Sequence, residues 1–218
     1  MEEGWVVSGT PGPDVARHVA WDLLSLPPPQ LRVLPVSSVA VVLPRSRDPG
    51  REVFLDRCAR DGVPVVRRPS GGGAVVLAPG VVTLSALAPL QGPRHVPALF
   101  ARFCGLVVQG LEDLGVPPLR LQGVSDLCLG DRKVVGSSLR LLAHAVLFQA
   151  SVLVSVNVAL LERYLPLPSR APDYRKGRPH REFVTTLEAA GFSLTPAEVE
   201  AGLRARFLQT LASDPASG

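Results

Sequence analysis

A chain of 218 residues with a hydrophobic fraction of 46% can bury a sizeable core, and 23 Lys+Arg against 19 Asp+Glu leave a net charge of only +4. With no run of like charges, that balance does not describe a nucleic-acid platform. Three cysteines without CxxC spacing suggest neither a disulfide framework nor a cysteine zinc site, and the acidic amino terminus lacks the pattern of a secretory signal, so a reducing, cytoplasmic setting is expected.

In chain order, the pattern predicts many short strands interrupted by a few helices, which is an α+β arrangement. A strand at 5–8 precedes a helix that Asp14 caps and the triple proline 27–29 ends. Strands are expected at 31–36 and 39–43, then a helix over about 50–61 that stops at Gly62. A strand at 64–68 enters three consecutive glycines, and strands at 74–77 and 81–88 leave them. Residues 96–114 carry Leu99, Phe103, Leu106, Val107, Leu111 and Leu114 at helical spacing, with Gly115 as the stop. A hairpin is expected over 127–141 with Gly130-Asp131 at its turn, followed by a strand at 146–156 and a short helix at 159–165. The proline-rich, basic stretch 166–180 reads as a mobile loop. Thr195-Pro196-Ala197-Glu198 is a capping box that opens a last helix to about residue 211. Two long uncharged stretches, 70–93 and 141–161, are interrupted by Pro, Gly and polar residues, so they read as buried strands rather than membrane spans.

Two motifs could carry chemistry. In Arg67-Arg68-Pro69-Ser70-Gly71-Gly72-Gly73-Ala74-Val75 a strand delivers arginines to a loop whose backbone can approach an anion closely. The plainer reading is a glycine hairpin with surface arginines, and the string has neither a P-loop nor a Rossmann ending. In Gly130-Asp131-Arg132-Lys133-Val134-Val135-Gly136-Ser137-Ser138 one of only two lysines in the chain emerges beside small residues. Such an ammonium can neutralise a phosphoryl or carboxylate oxygen, and Asp126 on the facing arm could orient it or bind Mg²⁺; a solvated hairpin is the alternative. The histidines His18, His95, His144 and His180 have no metal-ligand spacing.

Taken in order, RRPSGGGAVV, Ser85 on the next strand, SDL at 125–127, GDRKVVGSS at 130–138 and VTTL at 184–187 resemble the lipoate protein ligase family, part of the biotin/lipoate ligase and octanoyltransferase superfamily. The resemblance extends from His18-Val19-Ala20-Trp21-Asp22 to the last helix. It implies one catalytic domain over 1–218, without a C-terminal accessory domain, on a mixed, largely antiparallel sheet flanked by helices, a class II aminoacyl-tRNA synthetase-like fold. It further implies an enzyme that activates lipoate or octanoate with ATP and Mg²⁺ to an acyl adenylate. The acyl group then passes to a lysine of an acceptor, the lipoyl domain of a 2-oxoacid dehydrogenase or a glycine cleavage H protein. A separate accessory subunit could assist, and neither nucleic acid nor membrane is a partner. By the same resemblance Lys133 is the catalytic charge. Arg68, Ser70, Gly71, Gly72, Gly73, Ala74, Val75, Val76, Asp126, Gly136, Ser137 and Ser138 line the ATP and adenylate site.

The chain departs from the family pattern at three places. The usual His-Asp after the glycine loop is Leu77-Ala78, the usual Asn-Asp-Leu is Ser125-Asp126-Leu127, and the usual His-Gly-Ser/Thr is Gln149-Ala150-Ser151. Two alternatives stay open. One is a carrier-dependent octanoyl or lipoyl transferase using a cysteine thioester, for which Cys128 is the nearest candidate. The other is a non-catalytic relative that binds lipoate or an adenylate.

Overall fold

A computed structural model describes residues 5–90, 94–168 and 170–213. In chain order the elements are β1 (Val6–Ser8), α1 (Pro13–Val19), β2 (Gln30–Pro35), β3 (Ala40–Pro44), α2 (Pro49–Glu52), α3 (Leu55–Arg60), β4 (Val65–Arg68), β5 (Val75–Leu77), β6 (Val81–Pro89), α4 (Val96–Glu112), β7 (Arg120–Gln122), β8 (Asp126–Leu129), β9 (Arg132–Leu141), β10 (Ala145–Leu153), α5 (Ala159–Tyr164), α6 (His180–Phe183) and α7 (Pro196–Ser213). The strands form two sheets. The smaller has the order β1-β4-β3-β5 and is mixed, with β3 and β4 parallel; the larger, β2-β6-β10-β9-β8-β7, is antiparallel throughout.

Alternation along the central strands decides what each face of the large sheet does. Val82, Leu84, Ala86, Phe148 and Val152 point outward into a core capped by α4 and α7, where the Phe148 ring stacks 5.1 Å from Phe103 and 6.4 Å from Phe207. The intervening residues, Thr83 and Ser85 on β6, Gln149 and Ser151 on β10, and Gly136 and Ser138 on β9, lie side by side on the other face. That face looks toward the small sheet. Val81 and Leu153 close the gap by joining the small sheet's own core around Val41, Val42, Val65 and Val66.

Several expected elements differ in detail. The helix expected from Asp14 starts at Pro13 behind Gly12 and stops at Val19, where Ala20 turns into the left-handed region at φ 59°. Trp21 sets this break, because its indole Nε1 donates to the Arg67 carbonyl at 2.6 Å and pulls the chain onto the small sheet. The helix expected at 50–61 splits into α2 and α3, since buried Val53 is extended and the Phe54 amide donates to the Tyr164 carbonyl at 2.9 Å. The stretch expected to be a mobile loop is instead tied to the β8–β9 hairpin. Arg178 holds the Asp131 carboxylate at 2.7 Å and its carbonyl at 3.1 Å, and the Tyr174 hydroxyl donates to Asp126 Oδ2 at 2.7 Å. Among the described residues no helix is long and apolar enough to cross a membrane.

Candidate active site

Between the sheets lies a cavity of about 410 Å³. β4 delivers Arg68 to its edge and the chain then makes the glycine loop before returning as β5. Arg68 organises this loop from within. Its Nε donates to Ser70 Oγ at 3.1 Å, Nη1 to the Val42 carbonyl at 3.4 Å, and Nη2 to the carbonyls of Gly71 and, at 2.9 Å, Gly73. Gly72 has to be glycine here, since φ is 98° and a Cβ would stand 3.1 Å from Arg68 Nη2. Arg68 is only 7% exposed and forms no ion pair with any described residue. Burial alone pulls its pKa down to about 10, so it stays charged at neutral pH.

The hairpin supplies the second cation. Asp126 on β8 lies opposite Gly136 on β9, and the Lys133 ammonium reaches Asp126 Oδ1 at 2.6 Å. Gly136 makes room for it, because a Cβ there would be 2.9 Å from both Lys133 Cε and Nζ. Asp126 is held from its other side, where the Tyr174 hydroxyl donates to Oδ2 at 2.7 Å. With both carboxylate oxygens engaged, and no group of three potential metal ligands among the described residues, Asp126 does not fit a dedicated Mg²⁺ site.

Ser70 Oγ sits 2.8 Å from Ser138 Oγ and donates to Gln149 Oε1 at 2.6 Å, and Gln149 Nε2 donates to the Val19 carbonyl at 3.1 Å and Ser85 Oγ at 3.2 Å. One buried network thus joins the loop, the large sheet and the end of α1. Ser137 turns its hydroxyl to the Ser125 carbonyl at 2.7 Å.

Of the residues singled out in the sequence, Arg68, Gly72, Gly73, Ala74, Val75, Val76, Asp126, Lys133, Gly136, Ser137 and Ser138 line this one cavity. Ser70 and Gly71 do not line it; they shape the loop that does. Also in the cavity wall are His18 and Thr83, to which the sequence reading gave no role, Gln149 and Ser151, which it noted as departures from the family pattern, and Arg175 and His180 of the basic segment 174–181, for which contact with pyrophosphate or an acidic acceptor and a solvated loop were equally open. The polar positions of β6 and β10 alternate with apolar ones, and that alternation was the available signal. His18 Nδ1 meets Thr83 Oγ1 at 2.7 Å and His180 Nε2 donates to the Pro166 carbonyl at 3.1 Å, and burial lowers the pKa of both imidazoles. Arg175 is 4% exposed, stacks over Phe183 at 4.6 Å, and leaves Nη2 without a hydrogen-bond partner. Val42, Leu77, Leu153, Leu161, Leu165, Phe183 and Val184 give the cavity an apolar wall. None of the three cysteines lines it, and burial raises all three thiols, Cys58 to about 11.

The sequence profile of the lipoyl protein ligase A/B catalytic domain matches residues 20–208, so the chain belongs to that family. It is 31% identical over 145 residues to a lipoate-protein ligase A of Psychrobacter cryohalolentis, a match covering 65% of this chain and 41% of that protein. It is 29% identical over 210 residues to the octanoyltransferase LipM of Symbiobacterium thermophilum, covering 84% and 75%. Among solved structures it superimposes on the bipartite lipoate protein ligase of Thermoplasma acidophilum, described with its E2 lipoyl domain. That match has a TM-score of 0.77 and 25% identity and covers 93% of this chain and 81% of that one. The chain spans less than half the length of the curated lipoate ligases to which it aligns.

Proposed function

We propose that this family member activates lipoate or octanoate with ATP to an acyl adenylate and passes the acyl group to a lysine of a lipoyl acceptor domain. One observation carries the reading. Two guanidiniums, Arg68 and Arg175, are more than nine-tenths buried in a single cavity and have no ion-pair partner among the described residues, so a ligand with negative charge completes the site. The apolar wall suits the rest of an acyl adenylate, each buried CH₂ contributing about 0.8 kcal/mol.

In this reading the acyl carboxylate attacks the α-phosphorus and pyrophosphate leaves; the acceptor amine then attacks the acyl carbonyl and AMP leaves. Negative charge grows first on phosphate and then on the carbonyl oxygen, and Lys133 is the cation placed to stabilise both. No protein nucleophile is required, in keeping with three thiols outside the cavity. Mg²⁺ enters as a complex with the triphosphate. The bipartite ligase of Thermoplasma supports a separate accessory subunit as a partner.

The long alignment with an octanoyltransferase favours a second reading, acyl transfer from a carrier protein. One assay separates the two. The protein is incubated with an apo lipoyl domain and either Mg-ATP plus lipoate or octanoate, or an octanoyl carrier protein, and the acceptor's intact mass is measured. An acyl increment that requires ATP supports the ligase, and an increment from the carrier alone supports the transferase. No increment from either donor, with and without an accessory subunit, overturns both and leaves a binding protein.

A further inference from the structure

Lys133 is not held by Asp126 alone. The Cys128 thiol donates to the Tyr174 hydroxyl at 3.6 Å, that hydroxyl donates to Asp126 Oδ2 at 2.7 Å, and Asp126 Oδ1 pairs with Lys133 Nζ at 2.6 Å. Tyr174 reaches this position from outside the hairpin. It lies on the turn at Asp173–Arg175, its ring packs at 5.1 Å against Phe183, and Gly123 lies against its edge, where a Cβ would stand 3.6 Å from the ring. Burial and the adjacent carboxylate both raise the phenol's pKa, so it remains a hydrogen-bond donor across the physiological range.

We infer that Tyr174 is a positioning residue for Lys133, acting through Asp126. A carboxylate gripped from one side only can rotate and carry its partner ammonium with it; a donor on the opposite oxygen fixes its plane and so fixes where Nζ stands. The segment that supplies Tyr174 also borders the cavity through Pro172 and Arg175. The same bond therefore couples the seating of this segment to the placement of the charge. As a statement about catalysis this rests on the ligase reading, but the link itself is a property of the folded chain.

The two lysines allow a test that needs no turnover. The native protein is treated briefly with a limiting amine acylating reagent, and the labelling of Lys133 is read by peptide mass spectrometry relative to exposed Lys176. Tyr174→Phe keeps the ring and its packing and removes only the donor. We expect it to raise the Lys133:Lys176 ratio about threefold or more, with circular dichroism unchanged. Asp126→Asn should raise the ratio at least as much, and adding Tyr174→Phe to it should change nothing further. An unchanged ratio in Tyr174→Phe overturns the inference, as does an equal rise in the Asp126→Asn background, which would mean that the hydroxyl acts on Lys133 by a route other than Asp126. Where Tyr174→Phe does not fold, partial replacement of the two tyrosines by 3-fluorotyrosine strengthens the donor and should lower the ratio; no change overturns the link. If acyl transfer is also observed, Tyr174→Phe should lower kcat with little change in the KM for ATP. Failure of the ligase reading leaves the labelling result intact, so the two outcomes are separable.

Discussion

Gly136→Ala isolates the position of the Lys133 charge from its presence. The added Cβ would stand 2.9 Å from Cε and Nζ of Lys133, about 0.6–1.1 Å inside a van der Waals separation of roughly 3.5–4.0 Å. The atoms it meets are the far end of a flexible side chain, so the lysine yields and the strand does not. Gly136 does not have the positive φ that glycine permits, so the backbone accepts alanine. The loss of glycine's unfolded-state freedom offsets part of the displacement cost, and stability should change by less than about 1 kcal/mol. In the proposed ligase reading catalysis is less tolerant. A shift of about 1 Å in a group that stabilises the transition state can cost on the order of 100-fold, or about 2.7 kcal/mol. The expected result is a melting temperature within about 4 °C of the parent, together with an acyl-transfer rate, followed by acceptor mass, about 100-fold lower. A well-folded Gly136→Ala protein with parental turnover would refute the idea that Lys133 acts from this precise place.

Arg68→Lys keeps the charge but cannot serve Ser70, Val42, Gly71 and Gly73 together, so the ATP dissociation constant measured by equilibrium dialysis should rise at least about tenfold; an unchanged value would show that the fork geometry is unimportant. Gly80→Ala should be far more damaging to the fold than Gly136→Ala. Gly80 has φ 92° and a Cβ there would lie 2.5 Å from the Val156 amide nitrogen, a backbone atom that cannot swing aside, so a loss of about 3 kcal/mol and about 10 °C in thermal unfolding is expected. Stability should also fall as pH drops from about 7 toward 5. Burial lowers the pKa of His18 and His180 below 6.5, so in this window the unfolded chain binds more protons than the folded one, and folding weakens on acidification. Asp22 and Asp61, both lowered, act instead through their unfolded value of 3.8 and lose their contribution only at more acidic pH. The slope between pH 7 and 5 should flatten in a His18→Gln/His180→Gln double variant, and persistence of the full slope would assign it elsewhere.

What could be read from the sequence was mostly local. The capping box is realised as written, with the Glu198 amide donating to Thr195 Oγ1 at 3.2 Å and Glu198 accepting from the Thr195 amide at 2.8 Å. The hairpin turns at Gly130, whose φ of 59° suits glycine, and α4 buries the apolar stripe that its spacing announces. What could not be read was decided across long separations. The break after α1 depends on Trp21 meeting Arg67, 46 residues away, and no local propensity encodes that contact. The division of the strands into two sheets has the same origin: β4 bonds to β1 and β3 and never to the strands on the far side of the cavity. The site shows both situations. Lys133 and the glycine loop are legible as motifs, whereas the importance of Arg175 comes from its burial under the loop it belongs to, against Phe183.

The three departures from the family pattern bear on whether the site has decayed. A relic would be expected to leave polar groups stranded where their former partners were replaced, because unsatisfied buried donors cost about 1–3 kcal/mol each. At Gln149 the opposite is found: its carbonyl accepts from Ser70 and its amide serves both Val19 and Ser85, so the substituted residue is the hub of the network that anchors the glycine loop. Leu77 and Ala78, in place of a polar pair, are buried in the core of the small sheet, and Leu77 extends the cavity's apolar wall. Ser125 gives its carbonyl to the amide and hydroxyl of Ser137, keeping Asp126 opposite Gly136. Among the described residues only Arg132 Nε and Arg175 Nη2 are buried side-chain atoms without a partner, and the second belongs to a cation in the cavity wall. The replaced positions are knit into the packing, and the unmet donor in the cavity wall is one that an anionic ligand would satisfy.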